Sequence, residues 1–243
     1  MIYKIYPSIN DFENLSRLKV ESSDFANDFD YSNVVVNKPW GYEYLWFQNQ
    51  YIAIWFLRIA PGQSTSLHCH AKKRTSLIVL DGSIICTTID DKYCLNKLDS
   101  VVLEACVFHS SKAISESGAF VMEIETPPMK GDLVRMHDVY GRQDIGYEKA
   151  NVYSEEFTSY EYFPFDHTNS YSWKFKDIEI SLIINPKPHF SSPIILVPIK
   201  ETIHIQHGEI IEIGEAIEAE RFNLQYSETT KSEYEFLVFQ EKY

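Results

Sequence analysis

The chain has 243 residues, of which 44% are apolar, 14% aromatic and 23% charged, and its formal net charge is −13. An acidic chain is repelled by the phosphate backbone of DNA and RNA, so the charge excludes nucleic acids as partners. No apolar run approaches the length of about 20 residues that a membrane-spanning helix needs, and no basic segment followed by an apolar one opens the chain. We therefore expect neither a membrane protein nor a secreted one, and we expect the protein in the cytoplasm.

The predicted elements divide the chain into three segments. Residues 1–33 form an N-terminal extension, where a polar start at Ser8 and apolar residues at helical spacing up to Val20 predict one short helix. Residues 34–148 contain short strand-like runs separated by Asp-Gly and Asp-Asp turns, which predict a β domain. Residues 149–243 form a second β-rich domain. Its strands are predicted over 178–184, 194–199, 209–213 and 234–239.

The middle segment contains a histidine pair, His68 and His70, which follows a Pro-Gly turn at 61–62. Residues i and i+2 of a strand point to the same face, so the two imidazoles project together. Predicted strands over 76–81, 83–89 and 101–103 lie between this pair and His109, and a meander of this kind returns His109 to the pair. The pattern predicts a three-imidazole site for a divalent metal ion, with Zn, Fe, Mn and Ni all open as its identity.

These features resemble the two cupin motifs: a Pro-Gly turn, an H-x-H pair, a strand that ends at Gly82, and a later histidine at a strand end. The resemblance implies an all-β fold with few short helices. Residues 34–148 would form a metal-binding cupin-type antiparallel β-barrel (jelly roll), and residues 149–243 a degenerate, bicupin-like second barrel. In that second unit His204 and His207 are three residues apart and would face opposite sides of a strand, so we expect no metal there.

The chain departs from the usual cupin pattern at two places. The family has a glutamate ligand five residues after the second histidine, where this chain has Thr75. The usual Pro-x-Gly before the last histidine is also missing, since residues 106–108 read Cys-Val-Phe. The expected metal site therefore has three histidine ligands, His68, His70 and His109.

Two flanking segments extend the resemblance. Residues 38–43 (Lys-Pro-Trp-Gly-Tyr-Glu) and residues 132–142, with an Asp-Leu-Val-Arg and a Tyr-Gly-Arg run, resemble the segments that flank the cupin domain of type II mannose-6-phosphate isomerases. The Glu-Thr-Pro run at 125–127 is similar to that of stand-alone cupins of bacterial surface-polysaccharide synthesis. The resemblance implies an isomerase or epimerase that acts on a sugar phosphate or a nucleotide-linked sugar.

Aldose–ketose isomerisation needs a base that moves a proton between adjacent carbons and a metal that polarises the carbonyl. Carboxylates in or beside predicted strands are the candidate acid–base groups. They are Glu43, Glu104 and Glu125. A glutamate at a strand end is also typical of a solvated surface, so each of the three has that alternative interpretation.

An anionic substrate needs cations near the metal site. The candidates are Lys38, Arg58, Lys73, Arg135 and Arg142. Arginine is preferred where a phosphate is held bidentately, and the resemblance favours Arg135 and Arg142. Because Asp132 and Asp138 lie in the same segment as these arginines, a salt-bridged clasp that closes the barrel is an equally good interpretation.

Two other functions stay open. A three-histidine site without a carboxylate also resembles the cupin dioxygenases that hold ferrous iron. The missing glutamate and the altered second motif also fit a non-catalytic sugar-phosphate-binding or scaffold protein, which would bind its ligand tightly without turnover. Sheet edges and apolar outer faces of such barrels are commonly covered by a second copy, so we expect a homodimer.

Overall fold

The computed structural model describes residues 1–18, 26, 28–142, 147, 153–163, 165, 171–185, 190, 194–204, 210–225 and 234–242. The chain divides into two compact units, one of Tyr3–Tyr162 and one of Met1–Ile2 with Phe163–Tyr243. The division into segments 1–33, 34–148 and 149–243 stays a prediction. Within the described ranges, no helix is long and apolar enough to cross a membrane.

Within its described residues, the first unit is built mainly from short strands. In chain order these are β1 (Ile2–Ile5), α1 (Ile9–Arg17), β2 (Val35–Lys38), β3 (Gly41–Gln48), β4 (Ala53–Ile59), β5 (Leu67–Cys69), β6 (Arg74–Asp81), β7 (Ser83–Thr88), β8 (Lys92–Asn96), β9 (Ser100–Leu103), β10 (His109–Ala113), β11 (Ala119–Thr126), β12 (Val134–His137) and β13 (Tyr153–Ser154).

Antiparallel pairing arranges these strands in two sheets. The larger sheet has the order β1-β9-β6-β11-β4-β3-β2-β13, and the smaller one has the order β12-β5-β10-β7-β8. One apolar cluster contains side chains of both sheets, for example Trp55 and Val121 of the larger and Ile84 and Leu95 of the smaller. The two sheets therefore bury their facing sides against each other, which is the main source of stability for a layered β structure.

The helix α1 begins after Ser8. The Ser8 hydroxyl accepts the backbone N–H of Asp11, and the Asp11 carboxylate accepts the backbone N–H of Ser8 at 2.8 Å, which is a capping box. The other oxygen of Asp11 accepts the backbone N–H of Phe108 at 2.9 Å. The short helix predicted over 8–20 thus runs from Ile9 to Arg17, and its cap is bonded to the segment just before His109.

The second unit is also β-rich. Its elements are β14 (Ser172–Phe175), β15 (Ile178–Ile184), β16 (Ile194–Pro198), β17 (Ile203–His204), β18 (Ile210–Ile211), β19 (Ile217–Glu218), α2 (Ala219–Gln225) and β20 (Glu235–Glu241). One sheet has the order β14-β15-β20-β16-β19, and β17 pairs with β18. Side chains such as Leu196, Phe222 and Phe236 form its apolar core. The prediction of an all-β chain with antiparallel sheets and few short helices is confirmed. His207, one of the two histidines of this unit for which no metal was expected, lies outside the described residues.

Candidate metal centre and adjoining pocket

Two strands of the smaller sheet bring three imidazoles together. His68 lies on β5, His70 follows the end of β5 at Cys69, and His109 begins β10 directly opposite His68 in the antiparallel register. The ring centroids are 4.5 Å apart for His68 and His109, 5.0 Å for His68 and His70, and 5.5 Å for His70 and His109. One ring nitrogen of each histidine lies within 4.8 Å of those of the other two. All three side chains are buried.

Backbone carbonyls fix the orientation of the three rings. The Nδ1 atoms of His68, His70 and His109 lie within hydrogen-bond distance of the carbonyl oxygens of Ser66 (2.8 Å), Asp132 and Val107 (3.0 Å), respectively. Because a carbonyl oxygen only accepts, each Nδ1 carries the proton and the lone pair of each Nε2 is left for another partner. The Nε2 of His70 is buried without a hydrogen-bond partner. A buried lone pair of this kind is available to a metal ion.

The environment keeps the imidazoles neutral. Burial lowers the pKa of His68, with a further contribution from His109, and it lowers the pKa of His109 to about 4. Burial also lowers the pKa of His70, and the nearby ammonium of Lys73 lowers it further. A neutral imidazole is the form that binds metal. The donor set therefore fits a divalent ion such as zinc or iron.

Thr75 occupies the position at which the cupin pattern has its fourth ligand. It is buried on β6, opposite Glu125 of β11, and its hydroxyl has no hydrogen-bond partner in the structure. Among the described residues, the group that is close enough to share one ion consists of the three histidines. The cluster therefore contains no carboxylate from the part of the chain that the structure describes.

A small pocket of about 50 Å³ adjoins this cluster through His70. Five of its lining side chains are cationic: Lys38, Lys73, Lys130, Arg135 and Arg142. Three are carboxylic: Glu43, Glu123 and Glu125. The lining therefore has two more cations than carboxyls, although the whole chain has a net charge of −13. Such a lining suits an anionic ligand that reaches the metal site.

No family model and no curated protein that was compared with the chain matches it. Among solved structures, KdgF from Halomonas sp. is 16% identical and aligns over 37% of this chain and 82% of its own length, with a TM-score of 0.36. An RmlC-like cupin from Shewanella frigidimarina is 15% identical over 41% of this chain and 88% of its own, with a TM-score of 0.36. The capsular polysaccharide assembling protein CapF from Staphylococcus aureus is 14% identical over 43% of this chain, with a TM-score of 0.39. The aligned region covers 34% of the length of CapF. Each of these similarities is partial, since none of them covers half of this chain.

Lys130 connects two carboxylates of this pocket. Its ammonium lies 3.0 Å from Glu43 and 3.3 Å from Glu125, and 3.5 Å from the centre of the Trp55 ring. Each carboxylate has a second lysine: Lys38 lies 3.4 Å from Glu43, and Lys73 lies 2.7 Å from Glu125. Burial alone would raise the pKa of Glu43, but the ammonium groups of Lys130 and Lys38 outweigh it and lower the pKa to about 2. The network therefore stays charged although it is buried.

Glu123 differs from the other carboxyls of the pocket. It is buried on the same face of β11 as Glu125, to which it is hydrogen-bonded. Burial, reinforced by Glu125 and Glu43, raises the pKa of Glu123 to about 7 against the opposing effect of Lys130 and Lys73. For Glu125 the two lysines outweigh burial and lower the pKa. This hydrogen-bonded pair therefore holds a carboxyl proton more tightly than a solvated glutamate does, with Glu123 as the member whose pKa is raised.

Most of the sequence-predicted candidates line this pocket. They are His70, Lys38, Lys73, Glu43, Glu125, Arg135 and Arg142, while His68 and His109 complete the cluster beside it. Glu104 and Arg58 are not among the lining residues. Glu104 lies 3.6 Å from Arg74 in an ion pair, and Arg58 donates to the carbonyl oxygen of Ser117 and lies 5.2 Å from the centre of the Phe120 ring.

The two aspartates of the predicted clasp, Asp138 and Asp132, have different partners. Arg142 forms two side-chain hydrogen bonds to Asp138, from Nε at 2.8 Å and from a terminal nitrogen at 3.0 Å, so this pair has the geometry of a clasp. Burial would raise the pKa of Asp138, but the bonds from Arg142 lower it. The carboxylate of Asp132 instead accepts backbone N–H groups, the first of them from Ala71 at 3.2 Å. Arg142 is therefore held in place at the edge of the pocket.

Sequence reasoning missed Glu123, Lys130 and Tyr147, the last of which donates its hydroxyl to the Glu43 carboxylate. A signal existed for Glu123, because Glu123 and Glu125 continue the face of β11 whose Ala119 and Val121 belong to the apolar core. Lys130 and Tyr147 lie outside the strands, where no periodicity indicates burial.

Proposed function

We propose that this chain is a metal-dependent cupin that binds a sugar phosphate or a nucleotide-linked sugar and acts on it as an isomerase or epimerase. The observation that carries the proposal is the cation-rich pocket beside His70. The resemblance of residues 38–43 and 132–142 to type II mannose-6-phosphate isomerases supports the reaction class. The Glu-Thr-Pro run at 125–127 supports a role in bacterial surface-polysaccharide synthesis.

His68, His70 and His109 would hold the metal through their Nε2 atoms. When bound, a divalent ion polarises a substrate carbonyl and stabilises the negative charge that develops on its oxygen. With Thr75 in place of a fourth ligand, three protein ligands leave coordination positions open to substrate. The neutral, buried imidazoles support this assignment because they need no deprotonation before binding.

The cations of the pocket would hold the anionic group of the substrate. Arg135 lies opposite His68 in the register between β12 and β5, so its side chain starts beside a proposed metal ligand. Arg142 is oriented by Asp138, and a guanidinium held in this way binds phosphate with little further loss of freedom. Lys38 and Lys73 would add positive charge from the other side of the lining.

Glu123 is the proposed proton-transfer residue, with Glu125 as its hydrogen-bonded partner and Glu43 holding Lys130. In its ionised form Glu123 would take a proton from the carbon next to the substrate carbonyl and return it to the carbonyl carbon, while the hydroxyl proton passes to the former carbonyl oxygen. A pKa of about 7 suits both directions of this transfer. Glu104 and Arg58 have other contacts and are not part of this proposal.

The first test is the metal content of protein purified without added metal or chelator. We expect near-stoichiometric metal in the wild type, its loss in His70→Ala, and full retention in the control His137→Ala, which replaces an exposed histidine. Full occupancy in His70→Ala would contradict the site.

The second test measures proton transfer itself. Fructose 6-phosphate, mannose 6-phosphate and a panel of nucleotide-linked sugars are incubated with the metal-loaded protein in D₂O, and deuterium incorporation next to the carbonyl is followed by NMR. Incorporation with the wild type and its loss in Glu123→Gln is the expected result. Loss of incorporation in His70→Ala but not in Glu123→Gln would assign the base elsewhere.

The iron dioxygenase remains the second candidate because the cluster of three histidines contains no carboxylate among the described residues. Bound iron together with substrate-dependent oxygen uptake would support it, whereas zinc, manganese or nickel with deuterium incorporation would support the isomerase. Tight binding of hexose phosphates without either activity would identify a sugar-phosphate-binding or scaffold protein.

Three further statements about organisation are proposals. The five-stranded antiparallel sheet and apolar core of the second unit support a degenerate cupin-like barrel without metal. A homodimer is proposed from the sheet edges and is tested by sedimentation at several concentrations. The net charge of −13 supports partners other than nucleic acids. A cytoplasmic location is proposed from the proposed sugar-phosphate chemistry.

A further inference from the structure

Asp132 contacts the segment of His70 with both its main chain and its side chain. Its carbonyl oxygen accepts the Nδ1–H of His70. Its carboxylate accepts three consecutive backbone N–H groups, from Ala71 at 3.2 Å, Lys72 at 2.7 Å and Lys73 at 3.1 Å. The residue is buried, so water does not compete for these bonds.

Three successive N–H groups that bond to the two oxygens of one carboxylate form a concave anion-binding turn, with Ala71 donating to Oδ1 and Lys72 and Lys73 to Oδ2. Hydrogen bonds to an ionised acceptor are stronger than neutral ones, so the carboxylate defines the conformation of residues 71–73. On its other side the same segment is held by Cys106, whose N–H donates to the carbonyl of His70 at 2.7 Å. The backbone on which His70 sits is therefore fixed from both sides, and Asp132 is the part that also touches the ring.

We propose that Asp132 is the positioning residue of the metal centre. The carboxylate anchors the turn after His70, and the carbonyl of the same residue holds the ring as the Nδ1–H tautomer with Nε2 directed to the ion. The inference rests on the proposed metal site. It assigns no ligand role to Asp132, since the carboxylate is occupied by the backbone of residues 71–73.

Asp138 provides a matched control. It is a buried aspartate six residues further along the same segment, but its carboxylate bonds to Arg142 and to the backbone N–H of that residue rather than to a histidine segment. Replacing either aspartate removes one buried, hydrogen-bonded carboxylate. Only replacement of Asp132 should change the metal centre.

The first measurement is zinc affinity, determined by competition with a chromophoric chelator. Asp132→Asn and Asp132→Ala should bind zinc about 10- to 100-fold more weakly than the wild type, as expected when a group that orients a ligand is lost. Asp138→Asn should stay within about twofold of the wild type. Equal zinc affinities for Asp132→Asn and Asp138→Asn would overturn the proposal.

The second measurement uses the metal-free protein and long-range ¹H–¹⁵N NMR of the imidazoles, which identifies the protonated ring nitrogen. His70 should show a single Nδ1–H form in the wild type and a mixture of tautomers in Asp132→Ala. His109 should be unchanged, because its Nδ1 bonds to Val107. An unaltered His70 spectrum in a folded variant would refute the positioning role.

The two measurements distinguish a failure of the proposed metal site from a failure of the positioning role of Asp132. If the wild type binds no zinc, the proposed function fails, yet the tautomer of His70 still decides whether Asp132 orients the ring. If Asp132→Ala does not fold, Asp132→Asn decides both measurements, because asparagine keeps the shape and one acceptor oxygen but loses the charge.

Discussion

Replacing Glu123 with glutamine tests whether a protonated carboxyl is part of the folded pocket. Glutamine has nearly the same shape and still donates a hydrogen bond to Glu125, but it cannot ionise. The variant therefore removes the titration of residue 123 and leaves its packing. Burial, together with Glu125 and Glu43, opposes ionisation of Glu123, while Lys130 and Lys73 favour it.

The magnitude follows from the pKa of Glu123, which is about 7 in the folded protein against an ordinary value of 4.5. A carboxyl with a raised folded pKa holds its proton more tightly when folded, so it stabilises the fold below pH 4.5 and loses that contribution as the pH rises to about 7. A gap of about 2.5 units corresponds to about 3 kcal/mol. Between pH 5 and pH 8, the free energy of unfolding of Glu123→Gln should therefore gain most of this amount relative to the wild type.

Urea unfolding of the metal-free proteins at pH 5, 6, 7 and 8 measures this difference, with the free energy obtained by linear extrapolation. Tryptophan fluorescence is a suitable probe, because Trp40, Trp46 and Trp55 are buried in the first unit. Glu116→Gln, at an exposed position, is the control and should show no change of the difference with pH. A constant difference between Glu123→Gln and wild type across this range would refute the reasoning.

Three further predictions address the metal, the anion and the backbone. Zinc at about one hundred times its dissociation constant should stabilise the wild type by about 2.7 kcal/mol and leave His68→Ala unchanged in scanning fluorimetry, and equal rises in both would contradict the site. In calorimetric titrations, Arg135→Ala should bind inorganic phosphate at least about tenfold more weakly than the wild type. The control Arg58→Ala should lose stability but keep its phosphate affinity within about twofold, and the opposite order would place the anion site at Arg58. Gly41→Ala should lower the free energy of unfolding in urea by more than about 2 kcal/mol, because Gly41 has φ +145° and a Cβ there would collide with the Arg58 carbonyl. The control Gly62→Ala, at φ +72° in open space, should lower it by about 1 kcal/mol. Equal costs at the two glycines would show that the close approach of the backbones is unimportant.

The histidine cluster was predictable because it depends on local rules. Alternation along a strand places His68 and His70 on one side, and a meander of short strands returns His109 to them. The structure has His109 directly opposite His68 on β10 and β5. The strands β15, β16 and β20 were predictable for the same reason, since each is a short apolar run bounded by polar residues.

The pocket was less predictable because its chemistry depends on which side of a strand faces the core. Arg58 and Glu123 both lie on strands of the larger sheet but on opposite sides of it: Arg58 lies opposite Phe120, whereas Glu123 shares its side with Val121, which faces the cluster between the two sheets. Periodicity indicates which residues share a side but not whether that side is covered. The burial of Lys130 could not be predicted for a second reason. Lys130 lies between β11 and β12, and its burial follows from its contacts with Glu43 and Glu125.

The strand β12 forms one edge of the smaller sheet, and the segment around it has a consequence for protein engineering. The three proposed metal ligands all precede residue 110, whereas residues 130–142 contribute three of the five pocket cations. The proposed metal ligands and most of the pocket cations thus lie in separate stretches of the chain, and a chain truncated after β11 would keep the three proposed ligands while losing three of the five cations. A chimera that exchanges residues 130–142 with those of a relative should change substrate preference without altering the donor atoms. Its design has one constraint, which is that the position of Asp132 must keep an aspartate, because the exchanged segment also supports the ring of His70.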